Sequence, residues 1–134
     1  MSSDDNIKLI RTAYEAFERG DIPAVLDVIG DDCDWGVEAS GQIAPYYGMR
    51  HGKGEILAFF QELASTFAVE RFEPTVIAGD GDDVLAVVAY AIRSNATGKS
   101  ATMNIHHHFK VVDGKLRYFR GSEDTQLVKD LIAG

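Results

Sequence analysis

The 134 residues, 46% of them hydrophobic, suffice for one domain over residues 1–134 with an apolar core of its own. A formal net charge of −8 has the wrong sign for a phosphate-binding or anionic-membrane face, so nucleic acid and membranes are excluded as expected partners. The lone cysteine, Cys33, excludes a disulfide framework and a multi-cysteine metal site. With no basic-then-apolar leader and no run of ~18 apolar residues, the expected location is the cytoplasm.

Taken in chain order, the first half reads as helices. Ser3 or Asp4 is expected to cap a first helix, on which Ile7, Ile10, Tyr14 and Phe17 share one face. Gly20 ends it. Asp21 caps a short second helix with Pro23 in its first turn, and Gly30 stops that one. Asp31 to Val37 reads as a strand carrying Trp35, followed by a loop from Glu38 to His51. A third helix is expected over about 53–68, with Ile56, Phe59, Phe60 and Leu63 on its apolar face. Strands then follow at 72–78, 84–94, 101–112 and 115–123, with a short helix at 126–132. Helices first and antiparallel strands after is an α+β order.

The closing hairpin carries the most information. Asp113-Gly114 is a two-residue turn signal, so Val112 should face Lys115 and opposed residues should have numbers summing to 227. Opposed residues share a face and side chains alternate along a strand. One face then holds Met103, His107 and Phe109 with Tyr118, Arg120, Ser122 and Asp124, and its apolar end makes it the inner one. The other holds His106 and His108 with Phe119 and Glu123. Ionisable groups on a concave apolar face are costly unless paired or hydrated, which makes His107, Arg120 and Asp124 candidates for chemistry. The same residues also read as an Arg120–Asp124 ion pair beside a half-buried histidine, and a β-bulge would flip part of the register. The sequence leaves these readings open.

Three segments in order resemble one family: "YEAFERGDIPAVLDVIGDDCDW", "PYYGMRHGKGEILAFFQEL" and "HHHFKVVDGKLRYFRGSEDTQLV". The chain resembles the SnoaL-like polyketide cyclases, related to ketosteroid isomerases, within the nuclear transport factor 2-like superfamily. The resemblance covers nearly the whole chain. It implies a cone-shaped, curved, mostly antiparallel sheet with three N-terminal helices enclosing a pocket. It implies no single activity, because such a fold hosts enzymes and binders alike. Carried over by position, the family's hairpin histidine falls on His107 and its late acid/base aspartate on Asp124. The base of true ketosteroid isomerases falls near Val37-Glu38, where the pattern departs. Their oxyanion-hole tyrosine aligns with Ala13, one residue before Tyr14. Steroid isomerisation is therefore not expected.

The combined expectation is a cofactor-free enzyme moving a proton next to a carbonyl, in cyclisation or isomerisation, with hydration or dehydration as a third possibility. Asp124 would be the acid or base, His107 the donor to an oxyanion, and Arg120 a clamp or tuner. Trp35, Tyr14, Phe60, Tyr118, Phe109, Met103 and Ser122 would line the site of a small hydrophobic or carbonyl-containing molecule. Tyr46, Tyr47 and Met49 would stand at its mouth. The alternative is a non-catalytic ligand-binding or dimerising domain. No metal is expected: alternation points the middle ring of His106-His107-His108 away from its neighbours, and a closed zinc site needs more ligands. A homodimer through the outer sheet face, at His106, His108 or Phe119, covers the apolar groups expected there.

Overall fold

The computed structural model describes residues 2–133. Its elements are α1 (Ser3–Glu18), α2 (Ile22–Asp27), β1 (Ile29–Val37), β2 (Gly48–His51), α3 (Gly52–Thr66), β3 (Phe67–Asp80), β4 (Asp83–Ser94), β5 (Ser100–Val112), β6 (Lys115–Ser122) and α4 (Thr125–Ala133). Six strands form one curved, open sheet in the order β2-β1-β6-β5-β4-β3. All neighbours are antiparallel except β1 and β6, which run parallel. The α+β architecture is the expected one.

Local chemistry sets most boundaries. Ser2, one residue before the expected caps, accepts from the Asp5 backbone N–H, and Asp5 returns the bond in a capping box. Asp21 caps α2 as expected. Gly30 lies inside β1 rather than stopping a helix, because α2 has already ended at Asp27. The expected 38–51 loop closes with β2, which pairs Asp34–Val37 of β1. β3 is far longer than 72–78. It stays paired with β4 along its length by absorbing bulges between Val69 and Arg71 and between Pro74 and Val76. Bulges bend and over-twist a strand, and these help curve the sheet around its contents.

The hairpin register is corrected by a further bulge. Val112 faces Lys115 and Val111 faces Leu116, as expected, but Lys110 faces Tyr118. Arg117 is the extra residue, and beyond it the opposed numbers sum to 228. Its guanidinium donates to the Val112 carbonyl at 3.2 Å and to Asp32 at 2.8 Å. Past the bulge, Phe119, Gly121 and Glu123 turn inward beside His107 and Phe109. Tyr118, Arg120 and Ser122 turn outward beside His106 and His108.

The buried core is continuous, running from Ile10 and Val25 on the helices through Trp35 and Phe60 to Val88 and Val111 on the sheet. No described helix is long and apolar enough to cross a membrane.

Candidate functional site

The concave face of the sheet and the helices against it enclose a cavity. α1 contributes Tyr14 and Phe17, β1 Trp35, and α3 Phe59 and Phe60. The sheet adds Phe72, Tyr90, His107, Phe109 and Phe119, and the chain just past β6 adds Glu123. These rings interlock edge-to-face or tilted, with Trp35 and Phe119 at 4.1 Å and Phe59 and Phe60 at 5.2 Å between centroids. The free space left between them is about 80 Å³, well below the 300–1,000 Å³ of a drug-sized ligand site.

Two polar groups interrupt the aromatic lining. The first is Glu123. Tyr46 and Tyr47, from the loop between β1 and β2, both donate to its Oε2, at 2.7 and 2.8 Å. Oε1 has no protein partner among the described residues. Burial raises the Glu123 pKa above the ordinary carboxylate value, and the two tyrosine hydrogen bonds oppose that shift. Burial also raises Tyr46 and Tyr47, and the nearby carboxylate raises them further, so both remain donors.

The second is His107, in the middle of β5. Its Nδ1 lies 2.7 Å from the Tyr14 hydroxyl, and its ring packs against Phe119 at 4.9 Å and Phe109 at 5.6 Å. Burial, with the neighbouring His106 adding to it, lowers its pKa to about 3, so the imidazole is neutral near pH 7. Tyr14 is raised by burial and keeps its proton. With that hydroxyl donating to Nδ1, the ring proton sits on Nε2, which has no protein partner among the described residues. His107 faces Gly121 across the strands, two residues from Glu123 on the same face. That spacing is ~7 Å of strand, about the length of a small molecule held between the two groups.

The fully buried side-chain polar atoms without a partner among the described residues are Asn6 Oδ1 and Trp35 Nε1. Glu123 Oε1 and His107 Nε2 are thus unpartnered without being sealed in, and the cavity is the space their residues line together.

Of the residues singled out from sequence, His107, Tyr14, Trp35, Phe60 and Phe109 meet in this cavity. Met103 packs on the core further along β5 and does not line it. Arg120, Tyr118 and Ser122 lie on the opposite face, carried there by the bulge. Arg120 binds Asp34 at 2.9 Å and Glu38 at 3.0 Å, and its guanidinium stacks on Tyr118 at 4.4 Å. It is not a partner of Asp124, and its guanidinium points to the face away from the cavity. Asp124 is exposed and caps α4, accepting from the Leu127 backbone N–H at 3.0 Å. Among the lining residues that sequence reasoning missed are Glu123, Phe17, Phe59, Phe72, Tyr90 and Phe119. One signal could have found two of them. Leu116 and Phe119 are three apart, yet both are buried, which a strictly alternating strand forbids. Burying both requires an extra residue between them, which turns Glu123 inward.

A curved open sheet, helices on its concave side and a closed-in apolar cavity with a few polar groups define the nuclear transport factor 2-like class of α+β proteins. Within that class the chain belongs to the SnoaL-like domain family, whose pattern it matches over residues 10–119. A nuclear transport factor 2-like protein of unknown function from Burkholderia pseudomallei superposes with a TM-score of 0.91 at 27% identity, over 100% of both chains. Another such protein, from Burkholderia thailandensis, gives 0.86 at 26% identity over 98% of each. TerC, co-crystallised with polyporic acid, gives 0.88 at 23% identity over 97% of this chain and 99% of its own. No curated protein matches the sequence at a significant level.

Proposed function

We propose that the protein is a cofactor-independent acid/base enzyme that moves a proton next to the carbonyl of a small apolar molecule, as in isomerisation or cyclisation. The observation that carries this reading is the pair of unpartnered atoms, Glu123 Oε1 and His107 Nε2, on residues lining one aromatic cavity. Glu123 takes the role that the family resemblance assigns to Asp124. Its carboxylate accepts a proton from the carbon beside the carbonyl at Oε1, while Tyr46 and Tyr47 hold Oε2 and fix the plane of the group. Negative charge then grows on the carbonyl oxygen, and the Nε2–H of neutral His107 donates to it. A neutral imidazole suits this task because it gives a hydrogen bond without surrendering its proton. Glu123 returns the proton at the new position.

The rest of the proposal is a cytoplasmic homodimer, joined through the outer face of the sheet. The chemistry is tested by proton exchange. Small ketones such as cyclohex-2-enone and 2-tetralone are incubated with the protein in heavy water, and loss of the α-proton signal is followed by NMR. The wild type should accelerate exchange. Glu123→Gln should lower the rate by a factor of about 10² or more, while Asp124→Asn keeps it. Wild-type exchange in Glu123→Gln would remove Glu123 as the acid/base and leave the non-catalytic binding reading ahead.

A further inference from the structure

Two features of the cavity remain to be explained: how anything enters it, and what charge it accepts. The free space of about 80 Å³ is smaller than a one-ring ligand, so a wall must move. Among the lining residues, Phe17, Phe72, His107 and Glu123 reach partial exposure and the others are buried. His107 and Glu123 are each fastened by tyrosine hydroxyls. Phe17 and Phe72 are held by apolar packing, 4.9 Å from each other, with Phe60 5.9 Å from Phe17 and Tyr14 5.3 Å from Phe72. Those contacts are dispersive and non-directional, so either ring can swing without stranding a polar group.

Both rings also border a surface groove between the end of α1 and β3. This seam is loosely tied. β3 is the sheet's edge strand and its register breaks between Val69 and Arg71, next to Phe72, and α1 ends at Glu18. Behind Phe72 stands Tyr14, and behind Tyr14 stands His107, so the path leads to the polar end of the cavity. Of the charged residues at the groove, Arg71 is bound to Glu73 at 3.0 Å and Glu70 to Arg93, while Glu18 has no partner among the described residues. No lysine or arginine lines the cavity among the described residues. A carboxylate or phosphate would pass Glu18 and arrive desolvated, without a counter-charge and facing Glu123.

We propose that the site takes uncharged ligands, admitted between α1 and β3 past a Phe17–Phe72 gate. This rests on the reading of the cavity as the ligand site, and it does not require that any reaction occur there.

Trp35 is the chain's single tryptophan and lines the cavity, so its fluorescence reports what gets in. Quenching is measured with acrylamide, which is uncharged, and with iodide at constant ionic strength. In the wild type, acrylamide should quench more than iodide. Phe17→Ala and Phe72→Ala should raise the acrylamide constant several-fold and leave iodide low. Val128→Ala truncates a fully buried residue on α4, away from the seam, and should change neither. Phe17→Leu and Phe72→Leu repeat the test if the alanine variants do not fold, with a smaller rise expected. Three outcomes overturn the proposal: no rise in the gate variants, an equal rise in Val128→Ala, or iodide quenching that matches acrylamide. Because quenching reads access alone, its failure is distinct from a failure of the exchange assay.

Discussion

Glu123 sits between two opposed influences, burial that favours its protonated form and two tyrosine hydroxyls that favour its charge. Removing one hydroxyl tips the balance. Tyr47→Phe should raise the Glu123 pKa further, so the acid limb of the exchange-rate profile should move to higher pH by on the order of one unit. An unmoved limb would mean that Tyr47 only packs. His107 affects stability instead. Its folded pKa of about 3 lies below its ordinary 6.5, so its neutral form stabilises the fold above pH 6.5. That contribution is lost as pH falls from 6.5 toward 3, because the unfolded chain binds the proton first. At ~1.4 kcal/mol per unit the loss amounts to a few kcal/mol. Urea unfolding at pH 7 and pH 4.5 should show a smaller drop in His107→Gln than in the wild type. An identical drop in the two proteins would place the acid sensitivity in other groups. Glu123 works in the opposite direction. Its raised pKa destabilises the fold as pH rises through it, so Glu123→Gln should gain stability at high pH.

At the scale of elements, β6 shows what sequence conveyed and what it did not. Helix caps, the Asp113-Gly114 turn and the alternation of β4 and β5 are local signals, and each led to an element found in the structure. The site needed one more fact, the parity of β6 past residue 117. A bulge is chosen by tertiary burial: Phe119 has to join Trp35 and Phe109 inside, and Arg120 has to reach Asp34 and Glu38 outside. Its trace within β6 is the three-residue spacing of Leu116 and Phe119. That is why alternation alone puts His107, on the unbulged strand, on the inner face where it lies, and turns Asp124 inward in place of its neighbour Glu123. The β2 strand escaped notice for a related reason, since four residues paired to β1 leave too short a pattern to read. The bulge itself makes a sharp prediction. Arg117→Ala removes a partly exposed ion pair and one backbone contact and should cost about 1 kcal/mol or less. Deleting Arg117 removes the extra residue and leaves a strictly alternating strand with Phe119 still inward and Arg120 and Ser122 still outward, so the cooperative urea transition at 25 °C should persist. A deletion variant without a cooperative transition would show that the bulge itself, and not only the parity it sets, is required by the fold.

The whole molecule leaves its outer sheet face uncovered. Leu85 is 56% exposed and Val76 54% exposed, which is unusual for large aliphatic side chains on the middle of long strands. They are not scattered. Ala78, Leu85, His108 and Arg120 pair in one row across β3, β4, β5 and β6, and Val76, Val87, His106 and Ser122 form the next. The two rows make a shallow surface, apolar on β3 and β4 and polar on β5 and β6, edged by Glu38 and Tyr118. Exposed apolar groups clustered in this way mark contact surfaces, and a surface spanning four strands is wide enough to seat an identical one. Phe119, expected on this face from sequence, contributes nothing to it because it is buried inside. The prediction concerns mass in solution. At micromolar concentration, sedimentation equilibrium should give twice the 14.7 kDa of the chain. Leu85→Glu combined with Val76→Glu should reduce it to a monomer with an unchanged circular dichroism spectrum, because both side chains already meet solvent in the single chain. The ketone-exchange rate per chain should survive that change, since Glu123, His107 and the aromatic lining belong to one copy. A wild-type monomer would remove the outer face as a dimer surface and leave the cavity chemistry standing alone.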